Sequence, residues 1–302
     1  MTAQWRQNRR NNRWGTSFFY LAVRFGGRRP AYFFLYFVVF AYAFFFPSVK
    51  KQCAPYLLKR FPCAGSLNLG WHRYLLILNL GKILVDAAVL GILGDKKLSA
   101  EFSSQGDFHA IRSLDSGFIL LMSHVGCWQV AMATLSRLNR PVNLVMLPGE
   151  NNLPGANEKF NIINPDQFLG GTLDMLAALK RDEIVCIMGD RVLDSSGPSL
   201  EAVFFNTPAR FPLSPYRLAS TSGKPVVVLN TYKSGPSDYK LSLPAIIYVP
   251  PRLGKKGAAY QHYVNTYVKT LSDYAEAHPY QFFNFYDMWH SRVTQPKKAD
   301  TP

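Results

Sequence analysis

The apolar run Gly117-Phe118-Ile119-Leu120-Leu121-Met122 leads directly into Ser123-His124-Val125-Gly126-Cys127-Trp128-Gln129. A histidine at the end of a buried strand, followed by a glycine bend and a helix, is well placed to serve as a general base. The strand fixes the imidazole and the bend leaves it accessible. Gln129 lies five positions on. Within one helix, residues i and i+5 differ by about 140° and face apart. If His124 precedes the helix and Gln129 sits in its first turn, the two side chains can meet. The amide oxygen of Gln129 can then accept from a ring N–H and fix the tautomer, without the charge that a carboxylate brings to an imidazolium. Cys127 offers a second chemistry, a nucleophile beside His124; the plainer reading is a small buried hydrophobe on the helix. His124-x2-Cys127 has no matching second ligand pair, so no metal is expected.

Three further polar clusters follow. Gly189-Asp190-Arg191 ends the strand-like run Ile184-Val185-Cys186-Ile187-Met188. Phe204-Phe205-Asn206-Thr207-Pro208-Ala209-Arg210-Phe211 is aromatic and basic. The third is Pro279-Tyr280-Gln281-Phe282-Phe283-Asn284-Phe285-Tyr286-Asp287-Met288-Trp289, whose aromatics are expected to pack the last helix. In an open α/β sheet, ligands gather beyond the carboxyl ends of the strands. His124 and Asp190-Arg191 both follow strand candidates and therefore share one edge. Arg191 and Arg210 are candidates to bind a phosphate, which a guanidinium fork suits. Asp190 pairs with Arg191 or Arg210, or supplies the acid that Gln129 is not. The remaining histidines, His72, His109, His262, His278 and His290, lack supporting motifs and read as structural or exposed.

The elements that must hold these groups alternate. Strands are expected over 117–122, 142–147, 184–189, 225–230 and 241–249, and helices over 126–138, 170–181, 213–222 and 258–277. This is the pattern of a layered α/β domain with a mostly parallel central sheet flanked by helices. An earlier helix over 66–94 carries the stripe Leu69, Leu76, Leu80, Leu84 and Val85.

The 302 residues suffice for one large α/β domain with a small appendage. The net charge of +15 favours anionic partners. No nucleic acid is expected, because no zinc finger, ribonucleoprotein motif or base-reading basic helix is evident. The four cysteines form no C-x-x-C pair, which argues for reduced thiols rather than a disulfide framework. Seven arginines precede the uncharged, aromatic run 31–46, and Lys50 and Lys51 follow it. Its 16 residues would span about 24 Å as a helix, short of a ~30 Å hydrocarbon core. It reads as an uncleaved anchor, either a short span or a helix inserted from one face. The expected organisation is a basic, apolar anchor segment over 1–50, a catalytic domain over 51–290 and a disordered tail over 291–302.

Taken in order, these features resemble the lysophospholipid acyltransferase superfamily, and more closely the bacterial lipid A biosynthesis (lauroyl/myristoyl) acyltransferases. The resemblance rests on the basic start and apolar anchor, the His124 block, Gly189-Asp190-Arg191, the Phe-Phe-x-x-Pro-Ala-Arg block at 204–210 and the Pro-x-Gln-aromatic end at 279–282. The chain departs from the family's H-x4-D/E motif in having Gln129 for the acid. The resemblance implies acyl transfer from an acyl thioester, carried by acyl carrier protein or coenzyme A, to a hydroxyl of a membrane glycolipid or lipid A-like acceptor. It implies His124 as general base with Gln129 orienting it, Asp190, Arg191 and Arg210 at the substrate, and Phe204, Phe205 and Phe211 along an acyl groove. No cofactor beyond the thioester is implied. The place implied is the cytoplasmic face of an inner membrane, against an anionic phospholipid surface. Two alternatives stay open: a lysophospholipid acyltransferase, or a catalytically weak lipid- or carrier-binding protein, motivated by Gln129.

Overall fold

The computed structural model describes residues 24, 27–93, 98–135, 138, 140–147, 160–192 and 197–289. The expected basic leader over 1–16 and the tail over 291–302 lie outside the described residues.

Three helices come first: α1 (Arg28–Phe45), α2 (Pro47–Arg60) and α3 (Ser66–Leu93). The anchor run forms α1, and proline ends it. Phe46 takes an extended conformation, as a residue before proline must, and Pro47 opens α2. The two axes bend by 85° there. On α1 the buried residues Ala31, Leu35, Val39 and Ala43 recur every four positions and face α3. The pair is antiparallel: Tyr32 reaches Asp86, Leu35 lies against Gly81, and Arg73 donates to the Ala43 carbonyl. A Cβ at Gly81 would sit 2.7 Å from Leu35 Cδ1, so glycine sets the close approach. Among the described residues, the helix long and apolar enough to cross a membrane by itself is Ser66–Gly91, within α3; α1 and α2 reach that standard only as a bent pair.

The sheet strands are β1 (Ser99–Phe102), β2 (Phe118–Met122), β3 (Val142–Val145), β4 (Asn161–Ile163), β5 (Ile184–Met188), β8 (Val226–Lys233) and β9 (Asp238–Ile247), with β6 (Ser199–Phe204) and β7 (Thr207–Pro212) forming a separate hairpin. The order in the seven-stranded sheet is β1-β9-β8-β2-β5-β3-β4. Neighbours are parallel except β8 and β9. The connecting helices are α4 (Gln105–Arg112), α5 (Trp128–Leu135), α6 (Thr172–Lys180), α7 (Ser214–Ser222) and α8 (Gln261–Ala277). β2 is central and covered on both faces, which is why it reads as an unbroken apolar run. The expected mixed α/β architecture with a mostly parallel sheet is what forms. The hairpin β6–β7 was not expected. Phe205 and Asn206 both take positive φ at its turn, the backbone of a tight two-residue hairpin loop.

A buried ion pair fastens the helices to the sheet. Asp86 of α3, fully buried, accepts from Lys233 Nζ at the end of β8 and from the hydroxyls of Tyr32 and Tyr239. Removing water from such a carboxylate is costly, and the three donors offset that cost.

Candidate active site

β2 and β5 pair residues that are 66 apart in sequence, from Phe118 with Ile184 to Met122 with Met188. Gly189 N–H continues the ladder to the Met122 carbonyl at 2.7 Å. Carried two residues further, the same register sets His124 beside Asp190. The imidazole Nδ1 lies 2.8 and 3.0 Å from the two carboxylate oxygens, and the His124 backbone N–H donates to Asp190 Oδ2 at 3.2 Å. Asp190 is fully buried, whereas the His124 side chain is 30% exposed. An ionised carboxylate only accepts. Nδ1 therefore carries the hydrogen, and Nε2 holds the lone pair with which an imidazole takes up a proton. Burial pushes the Asp190 carboxyl up. The charges of His124 and Arg191 and the hydrogen bonds from His124 outweigh it and hold the group below the usual aspartate range.

The loop after β2 is held from two sides. Gly126 has φ 52°, and a Cβ there would lie 2.0 Å from the Thr231 carbonyl oxygen, so the bend requires glycine. Thr231 of β8 accepts from Cys127 N–H at 3.0 Å and donates to the Val125 carbonyl at 3.2 Å. On the other side the segment 281–284 runs antiparallel to the loop. Gly126 N–H donates to the Gln281 carbonyl at 3.0 Å, Val125 bridges Phe282, and Phe283 N–H donates to the His124 carbonyl at 2.7 Å.

The expected hydrogen bond between His124 and Gln129 is not formed. Gln129 does lie in the first turn of α5, but its amide oxygen accepts from Cys127 Sγ at 3.4 Å. Nδ1 is instead met by both oxygens of Asp190, the carboxylate weighed above in place of Gln129. Cys127 is fully buried, and burial pushes its thiol up to about 12, which disfavours a thiolate nucleophile. All four cysteines are free thiols. Arg191 turns to the C-terminal segment: Nε donates to Asn284 Oδ1 at 3.1 Å and a terminal nitrogen to the Phe283 carbonyl at 3.2 Å. Arg210 sits on the hairpin, opposite Glu201, and donates to Ser199 Oγ. Phe204 and Phe211 are fully buried rather than set along an open groove, because the hairpin turns that face inward. Phe204 stacks on Trp289 with ring centroids 5.7 Å apart, and Phe282 packs edge-on against both Phe204 and Tyr56 of α2. The C-terminal aromatics thus pack on the hairpin and α2 as well as near the last helix. Sequence reasoning missed Thr231 and the contacts of Gln281, Phe283 and Asn284. The one signal for the latter was the Pro-x-Gln end itself.

No curated protein matches the chain. Among solved structures, a 1-acyl-sn-glycerophosphate acyltransferase from Thermotoga maritima is similar at 13% identity and a TM-score of 0.40, over 82% of this chain and 95% of that one. The family model for bacterial lipid A biosynthesis acyltransferases matches residues 77–291, a span that holds His124, Asp190, Arg191, Arg210 and the segment 281–284. By that match this acyl-transferring enzyme belongs to the bacterial lipid A biosynthesis acyltransferase family.

Proposed function

We propose that the enzyme moves a fatty acyl chain from an acyl thioester on acyl carrier protein to a hydroxyl of a membrane glycolipid or lipid A-like acceptor, with His124 as general base. The observation that carries this is the pair His124–Asp190, a partly exposed imidazole whose Nδ1 is bonded to a buried carboxylate. Nε2 takes the proton from the acceptor hydroxyl as its oxygen attacks the thioester carbonyl. The C–O bond forms, the tetrahedral intermediate collapses, the C–S bond breaks, and the departing thiolate takes the proton back from the imidazolium. Asp190 holds the tautomer, the orienting part expected of Gln129, and adds a negative charge facing the positive ring. The weakly catalytic alternative was motivated by Gln129, and the carboxylate of Asp190 beside His124 supports the catalytic reading instead.

Arg191 is the site's cation, since its charge acts on Asp190. The apolar helices and the net charge of +15 favour work at an anionic membrane surface, which we place at the cytoplasmic face of an inner membrane, where the thioester is supplied. No cofactor is needed beyond the thioester. The test is mass spectrometry of total lipids from cells with and without the protein, and with His124→Ala. An acylated species absent from both the deletion and the variant supports the reading and names the acceptor. An unchanged lipid profile overturns it. Purified enzyme given lauroyl and myristoyl thioesters on acyl carrier protein or on coenzyme A then fixes the donor.

A further inference from the structure

We infer that the segment 281–284 is a positioning strap for the catalytic pair, and that Asn284 is the positioning residue that sets Asp190 against His124. The inference rests on the reading of His124 and Asp190 given above.

Four observations carry it. The strap meets the ends of three adjacent strands at once. At β2 it takes the His124 carbonyl and the Gly126 N–H. At β8 the Gln281 side chain behaves as one more strand residue: its amide oxygen accepts from Lys233 N–H at 2.7 Å and its amide nitrogen donates to the Lys233 carbonyl at 3.0 Å. At β5 Asn284 Nδ2 donates to the Asp190 carbonyl at 3.1 Å. Second, Phe283 and Asn284 are consecutive. One short segment therefore bonds the main chain of His124 through the Phe283 N–H and the main chain of Asp190 through the Asn284 side chain, so one peptide unit and one side chain lie between the two contacts.

Third, Asn284 is buried, and its amide oxygen accepts from Arg191 Nε and from Tyr286 N–H, each at 3.1 Å. A side chain with both ends occupied has one orientation, and here that orientation closes the Asp190–Arg191 turn. Fourth, the register of β2 with β5 ends at Met122 and Met188, with one more ladder bond from Gly189. Beyond that bond the two strand ends meet through the Asp190 carboxylate, which takes the His124 N–H and ring, and the strap adds a second connection through the carbonyls of both residues. Fixing a catalytic group to within a fraction of an ångström matters because misplacement of about 1 Å can cost a hundredfold in rate.

The test uses the full chain in its membrane or detergent form, with lauroyl-acyl carrier protein as donor and a membrane lipid extract as acceptor. Asn284→Ala should lower turnover tenfold to a hundredfold while the half-saturating donor concentration stays within twofold. Asn284→Asp keeps the acceptor for Arg191 and Tyr286 but loses the donor to Asp190, and should lose turnover similarly. A readout without substrate accompanies both: in protein labelled with 15N-histidine, the Nδ1–H proton of His124, identified by its absence in His124→Ala, should broaden or move in each variant. A merely structural residue would lower melting temperature and yield but leave turnover per folded molecule and the Nδ1–H signal unchanged, and that result overturns the inference. Wild-type turnover in Asn284→Asp would do the same. If instead His124→Ala stays active while the signal is lost in the Asn284 variants, the general-base reading fails and the strap stands.

Discussion

The central strands and helix α1 have similar apolar compositions and opposite surroundings. Every residue of β2 is at most 1% exposed, whereas on α1 Phe33 is 59%, Phe37 64% and Phe45 72% exposed. The strand is covered by protein on both faces. The helix buries one stripe of small and aliphatic residues against α3 and turns its large aromatics outward. An isolated apolar side chain on a surface is ordinary, but a whole helical face of phenylalanines calls for an apolar solvent. The comparison teaches a division of labour. On the function proposed above, chemistry sits at the end of the covered strands and location belongs to the bare helix, and the Asp86–Lys233 pair joins the two regions.

The division can be broken at the chemical end first. Replacing His124 by alanine should lower turnover by about 10²–10⁴. Asp190→Asn should fall in the same range, since an amide that donates to Nδ1 selects the wrong tautomer. Neither should change the fraction of protein recovered with membranes. If Asp190→Asn keeps full turnover, the strand-end pair is not the working site. Next comes the joint between the regions. Asp86→Ala leaves Lys233 buried without its partner and should cost about 3–5 kcal/mol, read as a lower denaturation midpoint. An unchanged midpoint would mean that helices and sheet are held by packing alone.

At the locating end, Phe37→Glu with Phe40→Glu puts charge on the bare face without touching the stripe buried against α3. The protein should move toward the soluble fraction at low salt and keep its fold by circular dichroism. Full retention on membranes would hand the anchoring to α3. The smallest effect is expected at Gln129. Gln129→Leu removes a weak contact with Cys127 Sγ and should change turnover by less than about twofold, because His124 takes its orientation from Asp190. A tenfold loss would restore Gln129 to the site.

The parts of the fold legible in the sequence were those whose pattern is local. β2, β5 and β8 are runs of apolar residues with punctuation at both ends, and their helices follow at regular distance. The break after α1 was only half legible: the uncharged run ends at residue 46, but nothing in it shows that Pro47 opens a helix turned by 85°. The strands β1 and β4 are three or four residues long, too short for any periodicity to register. The hairpin β6–β7 alternates inward residues Ala202 and Phe204 with outward ones, but its turn carries Phe205 at positive φ, where glycine or asparagine is the usual signal. At the candidate site, the expected contact of His124 with Gln129 is replaced by one with Asp190. The spacing of five pointed to Gln129 because it is local, whereas Asp190 lies 66 residues away and is brought in by register. That offset is visible in the sequence as two apolar runs of equal length, but only strand order makes it a contact. Gln281 and Asn284 left only the Pro-x-Gln end as a trace, because most of their partners are backbone groups, which every residue possesses.

The strap has a consequence in time. Along the chain the order is α1 to α3, then His124, then Asp190, then Lys233, and only afterwards residues 281–284. A ribosome that has delivered the first 278 residues has already made the apolar helices, His124 and Asp190, but not residues 281–284. On the proposals made above, synthesis itself therefore imposes a sequence of events: the growing polypeptide can reach a lipid surface before its pair is held in register, and a product that ends short of residue 281 lacks the strap.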